Sequence, residues 1–290
     1  MKFKYSVLMS VYYKERAEYL RQSIESIQKQ TVPTNDLVLV CDGALTPELD
    51  AVIAVKQQEM GSVLNVIRLA KNGGLGNALN VGIKHCKNEL VARMDSDDIS
   101  VADRCEKQVK LFEKNPELDI TSGVLLEFVT SPAQITGGRT IPCDNDEIIR
   151  YSRKRCPFNH PCVMFKKSAV ESAGGYQEKY HLFEDYYLWI RMLQNGCNAQ
   201  NLPDVLLYMR TPTDMYLRRG GTAYAKAMLQ FHWWVHKSGW TSLADFCTGA
   251  MPHAIVCVMP NKLRQMIYRN LHPSGGGTKY YENCSVDTVP

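Results

Sequence analysis

Three aspartates, Asp95, Asp97 and Asp98, fall within four consecutive residues after a mostly apolar, strand-like run that begins at Val91. Clustered carboxylates repel one another, so a fold that gathers them commonly holds a cation between them. At the C-terminal end of a strand in an α/β sheet, such a cation would lie where ligands usually bind. The same residues are also compatible with an acidic turn at the start of the next helix, which needs no ligand.

Two other acidic motifs share part of this spacing. The calcium-binding loop of an EF-hand would need a ligand at its fifth position, which here is Ile99, and a glycine at its sixth, which is Ser100. That loop is therefore excluded. The nucleophile loop of D-x-D-x-T phosphatases has the carboxylate spacing of Asp95 and Asp97. This class of enzyme stays open as an alternative.

The composition is that of a globular protein. Its 290 residues are 45% hydrophobic and 22% charged, which argues against disorder and suits one large α/β domain with a smaller appendage. The ten cysteines form no C-x-x-C pair and show no zinc-ligand spacing, as is typical of a reducing compartment. The sequence shows no secretion signal, and its apolar runs are shorter than the roughly 20 residues needed to cross a bilayer. We expect a cytoplasmic protein, soluble or peripheral.

The positive charge is concentrated near the C-terminus. The net charge is +4, but residues 207–272 contain eight lysines and arginines against two aspartates, so the remainder is slightly acidic. A basic region of this kind can face nucleic acid, anionic lipid, a phosphorylated substrate or only solvent. Within it, Pro260–Leu271 has the pattern of an amphipathic helix, which would either pack on the domain or lie on a membrane surface.

Short apolar runs alternate with helical patterns through the first hundred residues. Such alternation predicts a Rossmann-like, mostly parallel α/β sheet flanked by helices. The predicted strands are Tyr5–Val11, Leu37–Cys41, Val63–Ile67 and Leu90–Met94, and the predicted helices include Glu15–Gln30, Pro47–Met60 and Val101–Lys114. The glycine turn at Asn72–Gly76 lacks the third glycine of the dinucleotide fingerprint, and the sequence has no P-loop motif. We therefore expect a bound nucleotide to be held in neither of those two ways.

The pattern changes in the second half of the chain. Ile120–Val129 is strand-like, residues 131–144 are rich in glycine and proline and predict a loop, and Phe183–Leu193 is helical. The alternation of strands and helices stops near Thr211, and helical patterns follow. We expect an α/β domain over residues 1–210, a basic helical C-terminal extension over 211–272 and a flexible tail over 273–290.

Polar residues follow three of the predicted strands. Asp42 comes after the second strand, Asn72 after the third, and Asp95 after the fourth. Because parallel strands share their C-terminal edge, these groups should converge in one crevice. Farther along, Glu184 and Asp185 begin a predicted helix, where the helix dipole alone would favour acidic residues. The functional alternative is a general base among aromatic side chains.

Six short motifs occur in order along the chain: Val7–Tyr13, Asp42–Gly43, Asn72–Gly82, Met94–Asp98, Asn159–Pro161 and Glu184–Trp189. Together they resemble the family 2 glycosyltransferases of the GT-A fold, over residues 5–210. The chain departs from that family at Cys41-Asp42, where paired aspartates are frequent. It also lacks the Gln-x-x-Arg-Trp motif and the membrane helices of processive synthases, so the resemblance implies transfer of a single sugar.

The resemblance extends to bacterial enzymes of O-antigen, capsule and exopolysaccharide assembly. Its basis is the Ser152–Arg155 cluster, the Glu184–Tyr186 segment and the Arg218–Gly221 segment. It implies an inverting transfer of one hexose from UDP-galactose or UDP-glucose to a saccharide on polyprenyl diphosphate, in some relatives β-1,3 to N-acetylglucosamine. A lipid-diphosphate acceptor would account for the cationic cluster and the basic C-terminus. It also implies a peripheral position at the inner face of the cytoplasmic membrane, and nucleic acid is then not an expected partner.

The resemblance also implies a role for each candidate site residue. Asp97 would bind Mn²⁺ or Mg²⁺, Asp185 would be the general base, and Glu184 competes with it for that role. The nucleotide sugar would contact Val11, Tyr12, Glu15, Asp42, Asn72, Gly76, Asp95, Ser96, Arg218 and Arg219. The acceptor would contact Arg153, Lys154, Arg155, His160 and Trp189. From the residues alone, a D-x-D phosphatase and a non-catalytic, basic nucleic-acid-binding protein remain open.

Overall fold

The computed structural model describes residues 3–180, 182–211 and 220–259. Arg218 and Arg219, the amphipathic segment Pro260–Leu271 and the predicted tail lie outside the described residues. The chain divides into two compact units: unit 1 is the chain up to Leu125 together with Thr140–Met209, and unit 2 is Leu126–Arg139 together with the chain from Arg210 onward.

Unit 1 alternates strands and helices over most of its length. The strands of the chain are β1 (Tyr5–Val11), β2 (Leu37–Cys41), β3 (Leu64–Arg68), β4 (Leu90–Asp95), β5 (Ile99–Ser100), β6 (Leu118–Thr121), β7 (Val124–Phe128), β8 (Ile135–Arg139), β9 (Met164–Lys166), β10 (Asn198–Ala199) and β11 (Val205–Arg210). The helices of unit 1 are α1 (Ala17–Gln28), α2 (Pro47–Met60), α3 (Leu75–His85), α4 (Arg104–Lys114), α5 (Asn145–Ser152), α6 (Lys167–Ser172) and α7 (Glu184–Gln194), with 3₁₀ turns at Gly61–Val63 and His160–Cys162.

The larger sheet of unit 1 has the strand order β10–β6–β9–β4–β1–β2–β3. Strand β1 pairs in parallel with β2 and β4, β2 pairs in parallel with β3, and β9 runs antiparallel between β4 and β6. Apart from Ser10 and Asp95, every residue of β1, β2 and β4 is buried. This burial is expected of parallel strands covered by helices on both faces. The prediction of a mostly parallel, Rossmann-like α/β sheet flanked by helices is confirmed.

The predicted secondary structure is wrong in two places. The single strand predicted over Ile120–Val129 is two strands, β6 and β7, separated at Ser122 and Gly123. The loop predicted over residues 131–144 contains strand β8, which pairs with β7. The side chains of β8 are exposed or half-buried, and its sequence is Ile-Thr-Gly-Gly-Arg. Such a strand buries little apolar surface, so it lacks the alternating apolar pattern that would reveal it.

Unit 2 contains the helical C-terminal extension. Among the described residues, its elements after β11 are helix α8 (Thr222–Lys237), a helical turn (Leu243–Asp245), a π-helical turn (Phe246–Ala250) and helix α9 (Met251–Val258). Helix α8 buries one face through Ala225, Met228, Phe231 and Val235, and α9 packs against α8. Within the described ranges, no helix combines the length and the hydropathy that a bilayer-spanning segment needs.

Helix α3 approaches the sheet most closely at Gly82. A Cβ atom at this position would overlap Leu8 Cδ1 and would lie 2.8 Å from Val40 Cγ2. Both side chains are fully buried, on β1 and β2 respectively. The absence of a side chain at Gly82 therefore lets α3 lie closer to the sheet than any other residue would permit. Because the glycine turn precedes α3, this distance also helps to fix the position of that turn.

We expect Gly82→Ala to lower the free energy of unfolding by about 1–3 kcal/mol, because the added methyl group overpacks the α3–sheet contact. The matched control is Gly249→Ala in the π-helical turn, where nothing lies within 4 Å of the Cβ position. That control should be neutral or stabilising by up to about 1 kcal/mol. Urea unfolding followed by circular dichroism measures both variants, and equal effects would contradict the close packing at Gly82.

Candidate active site

The C-terminal edge of the larger sheet brings three predicted site residues together. Strand β1 lies between β2 and β4, with Val11 beside Cys41 and Ser10 beside Asp95. Asp42, directly after β2, donates its backbone N–H to the carbonyl oxygen of Val11 at 2.8 Å. Asp42, Val11 and Asp95 thus lie across the ends of three neighbouring strands. This is the edge at which open α/β sheets bind their ligands.

Asp42 organises the glycine turn that precedes α3. Its carboxylate accepts hydrogen bonds from the backbone N–H groups of Gly73 at 2.7 Å and Gly74 at 3.0 Å. Asn72 Nδ2 donates to the carbonyl oxygen of Asp42 at 3.1 Å. Gly43 permits this approach, since its φ is +87° and a Cβ atom there would lie 2.7 Å from the backbone nitrogen of Asn72. Asp42 therefore couples β2 to the turn, and its contact with a nucleotide base stays a prediction.

The acidic cluster predicted from the sequence forms in the structure. Carboxylate oxygens of Asp95, Asp97 and Asp98 lie within 4.8 Å of one another. A fourth carboxylate, that of Glu15, accepts a hydrogen bond from the Ser96 hydroxyl at 3.0 Å. Like charges this close raise the free energy of the folded protein unless a proton, a cation or a basic side chain offsets them.

One buried guanidinium offsets part of this charge. Arg93 is 1% exposed, and both of its terminal nitrogens donate to the carboxylate of Asp95. The two residues are two positions apart on β4, so their side chains leave the same face of the strand. Arg104, also buried, donates to the carbonyl oxygen of Arg93 at 2.6 Å. A bidentate pair of this kind fixes the orientation of Asp95 before any ligand binds.

Sequence reasoning missed Arg93. The signal that could have found it is a single arginine in an otherwise apolar strand, two residues before an aspartate on the same face. A cation inside a buried strand requires a partner nearby, and Asp95 was the available one.

The surroundings of Asp97 disfavour its negative charge. Burial, followed by the neighbouring charges of Asp95 and Glu15, raises the pKa of Asp97 to about 7. A bound divalent cation would reverse this effect by stabilising the carboxylate. The cluster of Asp95, Asp97 and Asp98 offers the hard oxygen ligands that Mg²⁺ and Mn²⁺ prefer. The residues present therefore fit a divalent cation.

An aromatic cluster adjoins these residues. The ring of Trp189 lies 5.7–6.3 Å, between centroids, from the rings of Phe158, His160, Phe165 and Tyr176. Burial, together with the positive charge of nearby Arg93, lowers the pKa of His160 well below its usual value, so its imidazole is neutral. Trp189 is completely buried. Trp189 therefore supports the aromatic cluster from inside, and its contact with the acceptor stays a prediction.

Tyr176 links the acidic cluster to helix α7. Its backbone N–H and carbonyl both bond the side-chain amide of Asn80 on α3, at 2.8 and 2.7 Å. Burial is the main cause of the raised pKa of the Tyr176 hydroxyl. The positive charge of Arg93 lowers this pKa, and the negative charges of Asp185 and Asp95 raise it further. Asp185 and Asp95 therefore both lie in the electrostatic neighbourhood of this one tyrosine.

Helix α7 begins with the two candidates for the general base. Glu184 and Asp185 occupy its first turn, and both are half-buried. The next residue, Tyr186, donates its hydroxyl to the carbonyl oxygen of Ser152 at the end of α5, at 2.7 Å. The turn formed by residues 153–155 follows directly, and its Arg-Lys-Arg side chains are exposed. A cationic surface therefore lies next to the first turn of α7.

The remaining predicted residues are dispersed around this edge of the sheet. Tyr12 follows β1 and is 42% exposed. Gly76 lies in the first turn of α3, where a Cβ atom would come within 3.4 Å of Tyr176. The structure does not describe Arg218 and Arg219, so their predicted contact with the donor is not located.

A single protein family covers most of these elements. The family described as Glycosyl transferase family 2 matches residues 6–172, a range that includes the glycine turn, the acidic cluster and the aromatic residues that precede α6. The chain belongs to glycosyltransferase family 2. It is therefore an enzyme, and the family decides against the D-x-D phosphatase and the non-catalytic binding protein that the residues alone left open.

Two named relatives extend the match beyond the family range. The UDP-Gal:alpha-D-GlcNAc-diphosphoundecaprenol beta-1,3-galactosyltransferase of Escherichia coli is 36% identical over 268 residues, covering 92% of this chain and 96% of its own. The amylovoran biosynthesis glycosyltransferase AmsE of Erwinia amylovora is 40% identical over 229 residues, covering 79% of this chain and 84% of its own.

Solved structures show the same fold. The mannosyltransferase of Pyrobaculum calidifontis, determined with GDP-Man and Mn²⁺, matches with a TM-score of 0.64 and 18% identity, over 96% of this chain and 84% of that one. TarS of S. aureus with UDP-GlcNAc matches with a TM-score of 0.60 and 19% identity, over 78% of this chain and 65% of that one. The GT-A fold expected of this glycosyltransferase is confirmed.

Two neighbouring Asp→Asn substitutions should change the stability of the metal-free enzyme in different directions. Asp95→Asn leaves the buried Arg93 without its carboxylate and should lower the free energy of unfolding by about 1–3 kcal/mol. Asp97→Asn removes a charge that burial disfavours, so it should leave stability unchanged or raise it. Urea unfolding in EDTA at pH 8 measures both variants. An Asp95→Asn protein as stable as the wild type would contradict the pairing with Arg93.

The pH dependence distinguishes the Asp97 effect from a change in packing. Between about pH 4 and pH 7, folded Asp97 keeps a proton that the unfolded chain releases, so this group makes the free energy of unfolding fall as pH rises. Above the raised pKa the contribution levels off. The advantage of Asp97→Asn over the wild type should therefore be larger at pH 8 than at pH 5, whereas a packing effect would be the same at both.

Proposed function

We propose that this enzyme transfers one galactose or glucose from a UDP-sugar to N-acetylglucosamine on a lipid diphosphate, making a β-1,3 linkage. The E. coli relative supports galactose as the transferred sugar, lipid-linked N-acetylglucosamine as the acceptor and the β-1,3 linkage, because its name specifies all three and the match spans nearly the full length of both chains. The amylovoran relative supports a role in bacterial surface polysaccharide synthesis.

Residues at the ends of β1 and β2 are suited to hold the donor nucleotide. Val11 and Tyr12, with Asp42, would contact the base. The turn from Asn72 to Gly76 would form the floor beneath the nucleotide, because its backbone is already fixed by the Asp42 carboxylate. Arg218 and Arg219, which the structure does not describe, would contact the diphosphate. A preformed turn loses little conformational freedom when the donor binds.

The acidic cluster would serve the leaving group. A divalent cation, Mn²⁺ or Mg²⁺, would supply Lewis-acid stabilisation of the negative charge that develops on the departing diphosphate. Asp97 would hold that ion, since burial and the neighbouring carboxylates disfavour its negative charge when no cation is present. Asp95, kept in one orientation by Arg93, would contact the ribose or a water molecule of the ion. Glu15 and Ser96 would complete the wall of this subsite.

Asp185 would be the general base. It would take the proton of the acceptor hydroxyl, whose oxygen then attacks the anomeric carbon opposite the departing diphosphate and inverts its configuration. Two carboxylates compete for this role, and Asp185 is favoured over Glu184. The reason is that the negative charges of Asp185 and Asp95 both raise the pKa of the Tyr176 hydroxyl, so Asp185 lies near the same tyrosine as a member of the acidic cluster.

The observation that carries the acceptor proposal is the hydrogen bond from Tyr186 to Ser152. It joins the first turn of α7 to the exposed Arg153–Arg155 turn. Three cations beside a general base suit an acceptor that carries a diphosphate near its reactive sugar. His160 is neutral and bonded to Tyr176, so it would shape the acceptor pocket rather than bind phosphate.

The transfer is tested with the full chain, Mn²⁺ and a synthetic GlcNAc-diphosphate that carries a long alkyl chain. UDP-Gal, UDP-Glc and UDP-GlcNAc are offered separately, and the linkage is read by NMR of the product. We expect transfer from UDP-Gal or UDP-Glc. Asp185→Asn should lower kcat by about 10²–10⁴-fold, because the general base is lost.

Two controls accompany the base variant. Glu184→Gln should keep most of the activity, and Asp146→Asn, an exposed carboxylate in the first turn of α5, should keep all of it. The reverse result at Asp185 and Glu184 would move the base to Glu184. No transfer from any of the three donors to this acceptor would overturn the proposed substrates.

A further inference from the structure

Helix α9 presents large apolar side chains to solvent. Met251, Ile255 and Val258 are 46%, 56% and 50% exposed. They are spaced by four and three residues, so they lie on one face of the helix and form what we term the α9 stripe. On the other face, the small residues Ala254 and Cys257 are buried. The larger apolar side chains thus face outward, which is the reverse of the usual arrangement on a soluble helix.

Further apolar surface is exposed in the helices before α9. Trp233 on α8 is 44% exposed and packs on Phe246 of the π-helical turn, with ring centroids 5.4 Å apart. Lys237 Nζ lies 5.1 Å from the centre of the Trp233 ring. Leu243, between the two helices, is 54% exposed. A tryptophan with a lysine over its ring is typical of side chains at a boundary between apolar and aqueous phases.

The charge of this region is almost entirely positive. From Gly220 to Leu271 the sequence contains five lysines and arginines (Lys226, Lys237, Lys262, Arg264 and Arg269) and one acidic residue, Asp245. Asp245 is engaged in a capping box with Ser242. A second copy of the chain would bring the same positive charge to the contact, whereas an anionic surface would be attracted to it.

We propose that the α9 stripe docks on an anionic lipid bilayer, with the helix lying in the plane of the surface. The apolar side chains of the stripe would enter the boundary between headgroups and acyl chains, and cations of this region such as Lys237, beside Trp233, would contact the lipid phosphates. The proposal rests on the proposed function in one respect: a lipid-linked acceptor is found only at such a surface. It adds the part of this chain that meets the lipid.

Co-sedimentation with vesicles tests the docking. The wild-type chain should bind vesicles of phosphatidylglycerol and phosphatidylethanolamine and should bind pure phosphatidylcholine vesicles much more weakly. Replacing Ile255 and Val258 together by serine should lower the partition coefficient about tenfold or more, because two apolar side chains no longer enter the boundary. The matched control is Val55→Ser on α2, since Val55 is 51% exposed but lies in unit 1 among ordinary surface residues.

Three further measurements keep the test decisive. The thermal unfolding midpoint of the double variant should equal that of the wild type, and Met251→Ser provides a second, milder variant. Transfer to a water-soluble acceptor with a short alkyl chain should be unchanged in both variants. This assay distinguishes an error in the proposed substrates from an error in the proposed membrane docking.

Light scattering measures whether the protein forms a dimer in solution. The proposal would be overturned if the double variant still bound vesicles as the wild type does. It would also be overturned if the wild type formed a dimer that the double variant does not form, with vesicle binding unchanged.

Discussion

The pairing of Arg93 with Asp95 is the interaction on which the rest of the site depends. Four carboxylates meet at the end of β4, and a buried strand can tolerate that charge only if it is offset. Arg93 supplies one positive charge and takes both oxygens of Asp95. Burial, followed by the negative charges of Asp95 and Glu15, raises the pKa of Asp97 to about 7. The fold thus fixes the orientation of the Asp95 carboxylate, and it makes the negative charge of Asp97 unfavourable unless a cation is bound nearby.

The sheet positions these groups through backbone contacts. Asp42 bonds the amides of the glycine turn, Gly82 lets α3 lie close on β1 and β2, and Asn80 of the same helix holds the backbone of Tyr176. Tyr176 then relates the acidic cluster to Asp185 on α7. Apart from the electrostatic relation between Tyr176 and Asp185, each link is a hydrogen bond or a contact at a glycine, so the geometry of the site is set mainly by rigid elements rather than by flexible side chains.

Much of the first half of the chain could be predicted from the sequence. The strands from Tyr5–Val11 to Leu90–Asp95 are short, mostly apolar runs, and the helix Pro47–Met60 has its proline at the start, so local patterns were sufficient. Strand β8 could not be predicted, since it has no apolar alternation. The roles of Arg93 and Tyr176, and the burial of Trp189, depend on contacts between residues far apart in the chain, which periodicity does not encode.

The central claim is that the acidic cluster binds the donor diphosphate through a divalent cation held by Asp97. Isothermal titration of UDP into the full chain tests it most directly, first with Mn²⁺ and then in EDTA, for the wild type and for Asp97→Asn. We expect the wild type to bind UDP with Mn²⁺ and to bind it at least tenfold more weakly in EDTA, and Asp97→Asn to show the weak binding in both conditions. Equal affinity of the wild type for UDP with and without Mn²⁺ would contradict the claim.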